Sequence, residues 1–130
     1  MSWLQEELNK SKAARHVFVC GHHNIGAIPE ARGFLLGLFR QHRVTAYLHG
    51  HVHRQAPKQG YQDFPTLCCP SVSAWNWWMA GKSPPSDEPT LYPLGYQMNH
   101  VYPDKLVSEF HYLGGGVDDD YRYTFLNPRR

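Results

Sequence analysis

Two short apolar runs in this chain each end at glycine and histidine residues, with a helical pattern between them. Residues 16–20 lead into Gly-His-His at 21–23, and residues 44–48 lead into His-Gly-His-Val-His at 49–53. Short β-branched runs predict buried strands, and a proline followed by apolar residues at helical spacing predicts a helix over 29–41. Strands joined by a helical crossover are parallel, so both histidine groups are expected beyond the carboxyl ends of neighbouring strands, where open α/β sheets bind ligands.

The histidines of the second group have the spacing of a ligand pair. His51 and His53 would project to one side of an extended segment, and Gly50 would let the backbone bend or approach a bound group. Neutral imidazole is the commonest protein metal ligand and suits Zn, Fe, Ni and Cu. The alternative is that these are loop histidines that only cap strand ends. His49 is expected to be packed or solvated.

Composition and charge describe one small domain, or part of a larger one, without a nucleic-acid partner. The chain has 130 residues, is 42% hydrophobic and carries a formal charge of +2, with its basic residues scattered along the sequence. The basic tail 127–130 is expected to be solvated. No apolar run is long enough for a membrane span and the acidic, amphipathic start is not a signal peptide, so no membrane partner is expected and the compartment is left open.

The three cysteines have no disulfide or Cys-x-x-Cys spacing, and Cys20 is expected to be a small buried hydrophobe. Gly33 and Gly37, one turn apart on the predicted helix, would allow close packing against a sheet. The acidic run Asp118 to Asp120, after three glycines, is expected to be a solvated turn. The remaining pattern predicts a helix at 3–12, strands at 64–69, 96–102, 105–112 and 121–126, and a Pro- and Ser-rich loop at 81–93.

The ordered pair Gly21-His22-His23 and Gly50-His51-Val52-His53, each after a strand, resembles the last two metal motifs of the calcineurin-like metallophosphoesterases. The helix expected before the first strand resembles the family's segment in that place. The run from residue 50 to Pro70-Ser71 is loosely similar to the class III cyclic-nucleotide phosphodiesterase and purple acid phosphatase-like branch. The resemblance covers the C-terminal half of that family's domain.

The resemblance implies an α/β fold: the C-terminal half of a four-layer α/β/β/α sandwich, with two parallel strands and a crossover helix followed by an antiparallel hairpin. The whole chain, 1–130, would be a partial phosphoesterase domain, with a metal-ligand unit over 1–53 and second-sheet strands and a tail over 54–130. The complete family site holds two divalent or mixed-valence transition metals (Mn, Fe or Zn). By motif position, His22, His51 and His53 would be metal ligands, and His23 would lie beside the substrate phosphate.

The family's three upstream motifs, Asp-x-His, Gly-Asp-x-x-Asp and Gly-Asn-His-Asp/Glu, do not occur in this sequence. Asn99-His100 lies in a predicted strand after the other motifs and is not a substitute for the third. Three neutral imidazoles cannot offset two ions, so at most one ion is expected here, with no catalytic residue in this chain alone. The first hypothesis is therefore a metal-dependent phosphoesterase fragment that hydrolyses phosphate esters only in the complete enzyme.

Two other hypotheses remain open. The chain could be a non-catalytic remnant that binds a metal or a protein partner, or a mononuclear zinc hydrolase without an evident general base. Trp75, Trp77 and Trp78 are expected to form an interface, with a missing N-terminal half or with a second copy of the chain, rather than to stack on a substrate.

Overall fold

Two three-stranded sheets and two helices make up the part of the chain that the structure, a computed structural model, describes: residues 3–51, 61, 63–69, 95–112 and 114–129. The elements in chain order are α1 (Trp3–Lys10), a 3-10 turn (Ser11–Ala13), β1 (Phe18–Gly21), a second 3-10 turn (Ile25–Ala27), α2 (Pro29–Gln41), β2 (Ala46–His49), β3 (Thr66–Cys68), β4 (Gly95–Val101), β5 (Lys105–Tyr112) and β6 (Val117–Leu126).

The first sheet is parallel and has the order β1-β2-β3. Phe18 pairs with Ala46 at one end and Gly21 with His49 at the other, and α2 makes the crossover between the two strands. This confirms the predicted parallel pair. The sequence grouped the strand at 64–69 with the second sheet, and that placement is wrong, because β3 pairs with β2 and is buried throughout.

The second sheet is antiparallel and has the order β4-β5-β6, which confirms the predicted hairpin between β4 and β5. The predicted acidic turn is wrong: β6 begins at Val117, so Asp118 and Asp120 lie within the strand. Asp118 pairs with Phe110 and accepts a hydrogen bond from the Tyr112 hydroxyl. The other two carboxylates of the run are exposed to water, so their charge does not oppose strand formation.

Two apolar cores lie on opposite faces of the parallel sheet. The core on the helix side contains Leu8 of α1, three residues of α2 (Leu36, Leu38 and Phe39) and Tyr47 of β2, with further buried residues from the loops. On the other face, Ala46, Leu67 and Leu106 are fully buried and bring the two sheets together. The result is helices, parallel sheet and antiparallel sheet in three layers, consistent with part of the predicted sandwich.

The C-terminal tail is not the solvated segment that its charge predicted. Asn127 is 1% exposed, and its amide nitrogen donates to the carbonyls of Arg15 and Pro103 at 3.2 and 2.9 Å. The guanidinium of Arg129 donates to five carbonyl oxygens at the ends of the α1 and α2 segments, those of Ser11, Lys12, Ala14, His42 and Arg43. The tail therefore ties both helical segments to the second sheet.

The structure also bears on the expectations about the α2 glycines, the cysteines and membrane-spanning helices. A Cβ built on Gly33 or Gly37 would meet nothing within 4 Å, so these glycines do not provide the close packing that their spacing indicated. None of the three cysteines forms a disulfide, and Cys20 is exposed rather than buried. Within the described ranges, no helix is long and apolar enough to cross a membrane.

Candidate metal centre

Three histidines meet where the first two strands of the parallel sheet end. His22 and His23 follow β1, and His51 lies two residues beyond the end of β2. Because the two strands are parallel and in register up to Gly21 and His49, the chain leaves both at the same edge of the sheet. The backbone N–H of Gly50 donates to the His22 carbonyl at 3.1 Å, which joins the two loops directly.

The imidazole rings of these residues are close enough to share one ligand. Nδ1 of His51 lies 3.3 Å from Nε2 of His22, and one ring nitrogen from each of His22, His23 and His51 lies within 4.8 Å of the other two. The ring centroid of His51 is 5.1 Å from that of His22 and 4.3 Å from that of His23. His22 and His23 are exposed, so the cluster is open to solvent. We call these three residues the histidine cluster.

The spacing of the histidine cluster fits a single tetrahedral ion. Zinc–nitrogen bonds of about 2.0–2.1 Å at a tetrahedral angle place two ligand nitrogens about 3.3 Å apart. The distance of 3.3 Å between the His22 and His51 nitrogens matches this edge, and the third nitrogen, within 4.8 Å of the other two, has to move closer by up to about 1.5 Å on binding. The same distance also suits an N–H···N hydrogen bond between neutral rings, which is the arrangement without an ion.

The donor set does not fit the two-ion centre that the family resemblance implies. Across the described ranges, the cluster contains only imidazoles and no carboxylate. Two divalent cations held about 3.5–4 Å apart repel each other strongly and need anionic ligands to offset their charge. Three neutral ligands with a fourth position open to water are, by contrast, a known arrangement for one zinc ion.

The loop that carries His22 and His23 is held from beneath by Tyr47. The Tyr47 hydroxyl donates to the His23 carbonyl at 2.7 Å, and the ring is 7% exposed. Burial raises the pKa of this hydroxyl, and the nearby Cys20 raises it further, so it remains a donor. Farther along the loop, Asn24 begins the 3-10 turn by accepting from the Ala27 N–H at 2.8 Å. These two contacts fix the backbone at His23 and just after it.

His51 has an unusual backbone conformation, which corrects the sequence argument about it. β2 ends at His49, and His51 has φ of 71°, in the left-handed region that non-glycine residues rarely adopt. The expectation that alternate residues of an extended segment share a side therefore does not apply at His51. The ring approaches His22 because the chain turns after the strand. Backbone strain of this kind is found most often at binding and active sites.

His49 packs within the protein, as expected, and is outside the histidine cluster. It is 7% exposed, its ring stacks on Tyr47 with centroids 5.9 Å apart, and its Nδ1 lies 3.3 Å from the Gly50 carbonyl. Burial lowers the pKa of its imidazole, against a smaller opposing effect of the Gly50 carbonyl. The ring is therefore kept neutral as a structural part of β2.

The structure brings together His22 and His51, as predicted, and adds His23, for which the sequence indicated a place beside the substrate. His22 and His23 are adjacent and follow the end of β1, so their side chains need not point to opposite faces as they would within a strand. The sequence alone could have indicated this. His53 lies outside the described residues, so its role as a ligand stays a prediction. The same holds for the proposed interface at Trp75, Trp77 and Trp78.

Comparison with known proteins gives a likeness at the level of the fold. No family model matches this sequence, and no curated protein matches it. Among solved structures, the chain is similar to a single mutant of Vps29 from Entamoeba histolytica, with 18% identity and a TM-score of 0.40. The match covers 73% of this chain and 45% of the Vps29 chain, so this chain spans less than half of that protein. The likeness concerns the fold alone.

Proposed function

We propose that this chain binds one divalent transition-metal ion through His22, His23 and His51. The observation that carries the proposal is the convergence of three imidazole nitrogens within 4.8 Å at the carboxyl edge of a parallel sheet. Exposure of the cluster leaves a coordination position for water or a substrate oxygen. Zinc suits this set best, because imidazole is a good zinc ligand and three neutral nitrogens are enough for one ion.

We further propose that this site is the histidine-bearing part of a phosphoesterase centre whose acidic ligands lie outside the histidine cluster. The order of the two histidine motifs, each after a strand of the same parallel sheet, supports this part of the proposal. A bound metal ion would lower the pKa of its water and polarise a phosphoryl oxygen. The residues of this chain would hold the ion at the sheet edge, while Tyr47 keeps the His23 loop in position.

Equilibrium dialysis against Zn²⁺, followed by metal analysis, tests the binding step. We expect one ion per chain, lost in His22→Ala and in His51→Asn. Asparagine is chosen at position 51 because it tolerates a left-handed backbone, so the variant should keep its fold. His100→Gln is the matched control, because it removes an imidazole from the second sheet, away from the cluster. Retention of the ion in both cluster variants would contradict the proposal.

His23→Ala and His53→Ala distinguish the two possible ligand sets. The geometry of the described residues predicts a loss of zinc affinity of tenfold or more in His23→Ala, because losing even an outer partner of a metal ligand costs about 10–100-fold in affinity. If His53 is the third ligand and His23 lies only beside the substrate, His53→Ala should lose zinc while His23→Ala keeps it. That second pattern would overturn the ligand set proposed here.

Hydrolysis of an aryl phosphate diester with added Zn²⁺ or Mn²⁺ tests the phosphoesterase step separately. The isolated chain should show no turnover above that of the His51→Asn variant, because no carboxylate of the described residues joins the cluster. Turnover should appear when acidic partner residues are supplied by a joined upstream half, and it should then require His51. Activity that survives the loss of His51 would refute the phosphoesterase assignment, while leaving the metal-binding result unaffected.

A further inference from the structure

A basic cavity lies at the opposite edge of the parallel sheet from the histidine cluster. Its volume is about 580 Å³, and its lining comes from the end of the α1 segment, the end of α2 and the C-terminal tail. Lys12 and Arg15 precede β1, and Arg43 precedes β2, so the chain enters both strands at this edge. The basic residues are scattered in the sequence, but the fold gathers four of them here, with Arg129 as the fourth.

The cavity keeps a net positive charge after the partial negative charges of the helix ends have been offset. The α1 and α2 segments both end here, and a helix C-terminus carries roughly half a negative charge. Arg129 offsets these two ends, since its guanidinium donates to five of their carbonyl oxygens. The side chains of Lys12, Arg15 and Arg43 have no ion-pair partner within the described ranges, all three residues are exposed, and the lining contains no acidic residue.

A buried and unpartnered polar group also lines this cavity. His42 is 9% exposed, and its Nε2 has no hydrogen-bond partner among the residues the structure describes. An unpaired buried polar atom is costly, and native structures generally give such an atom a partner. This nitrogen is shielded from solvent, so His42 forms part of the cavity wall, and its ring signals report on what binds beside it.

We infer that the cavity binds a small phosphate-bearing polyanion, with Lys12, Arg15 and Arg43 as its charged contacts and the His42 ring in its wall. The volume lies in the range of small-molecule sites, about 300–1,000 Å³, and is larger than a single phosphate requires. Arginine forks and a lysine ammonium are the usual protein contacts to phosphate oxygens. The site is separate from the histidine cluster and does not depend on the metal-binding proposal.

Calorimetric titration of the metal-free chain with inorganic tripolyphosphate tests this inference. We expect saturable binding of one ligand per chain, weakened by added NaCl because the contacts are exposed charges. Arg15→Gln and Arg43→Asn should each weaken binding about tenfold, the low end of what a charged hydrogen bond contributes. Asparagine suits position 43, where φ is 51°. Lys105→Gln, which removes one positive charge from β5, is the control and should bind as the original chain does.

Proton NMR of the histidine rings shows where on the protein the ligand binds. The ring signals of His42 should shift during the titration, whereas those of His22 and His51 at the other edge should not. Thermal melting without ligand shows which variants fold, and Lys12→Gln replaces any that does not. No saturable binding, equal weakening by Lys105→Gln, or an unshifted His42 would each overturn the inference.

Discussion

Gly21→Ala and Gly50→Ala form a matched pair that tests how the histidine cluster is supported. Each glycine comes directly before a histidine of the cluster, at the end of β1 or just beyond β2. The sequence indicated Gly50 as the position where the backbone needs freedom. In the structure, a Cβ on Gly50 would meet nothing within 4 Å, whereas a Cβ on Gly21 would lie 2.9 Å from Cζ of Tyr47 and closer still to its hydroxyl oxygen.

The loss of stability expected in Gly21→Ala comes from the displacement of the Tyr47 side chain by the new methyl group. Its ring is 7% exposed and stacks on Phe39 and His49, with centroids 5.7 and 5.9 Å away, so it cannot turn aside freely. Overpacking of this kind costs about 1–3 kcal/mol. Displacing the hydroxyl also breaks its 2.7 Å hydrogen bond to the His23 carbonyl, which adds about 1 kcal/mol. Together these give about 2–4 kcal/mol, a fall in Tm of about 10 °C for a domain of this size.

Thermal melting followed by zinc dialysis measures both consequences. Gly21→Ala should melt about 10 °C lower and bind zinc more weakly, because the His23 loop loses its hydrogen bond to Tyr47. Gly50→Ala should change neither property appreciably. Equal melting temperatures for the two variants, or a larger loss in Gly50→Ala, would refute the reasoning that Gly21 is the position fixed by close approach.

Three further predictions concern parts of the fold away from the cluster. Gly33→Ala and Gly37→Ala should each raise the free energy of unfolding by about 0.5–1 kcal/mol in urea denaturation, because both glycines are exposed on α2 and the added methyl meets nothing. A loss of stability in either variant would show that the glycine packs closely against a neighbour. Arg129→Lys should destabilise the fold by about 2–3 kcal/mol, nearly as much as Arg129→Ala, because an ammonium cannot span five carbonyls; recovery of most of the stability by lysine would contradict this. Burial alone would raise the pKa of Glu109, but hydrogen bonds from His100 and His111 and the charge of Arg122 hold it below the usual 4.5. The ionised Glu109 carboxylate therefore stabilises the fold above pH 4.5, and this stabilisation is lost as the pH falls through the lowered pKa of Glu109. The melting temperatures of Arg122→Gln and the original chain should differ above pH 4.5 and converge in stronger acid.

The elements with strong local signals were predicted well. The helix over 29–41 has the bounds of α2, because Pro29 fixes its start and apolar spacing continues to its last turn. The strand over 105–112 has the bounds of β5, because the turn residues Pro103 and Asp104 mark its start in the sequence. The starts of the first two strands were less accurate. Thr45 and Val17 bond to each other just before the ladder begins, with the Thr45 hydroxyl accepting from the Val17 N–H.

The features that were missed depend on contacts between distant parts of the chain. The role of Arg129 requires five carbonyls that come together only when the helical segments and the tail have folded. The constraint at Gly21 comes from a tyrosine on the neighbouring strand. The position of His51 depends on a left-handed turn that histidine adopts rarely, so no local pattern indicates it. The sequence predicted that two loops bring His22 and His51 together, but it placed His23 beside the substrate phosphate and not among the ligands.

X-ray absorption at the zinc edge of the loaded chain tests the central claim most directly. The histidine cluster predicts a first shell with three imidazole nitrogens at about 2.0–2.1 Å and one oxygen from water. The signal should lose one imidazole in His23→Ala. A shell dominated by sulfur, or one without the outer-ring scattering of several imidazoles, would show that zinc binds elsewhere and that these three histidines do not form the metal site.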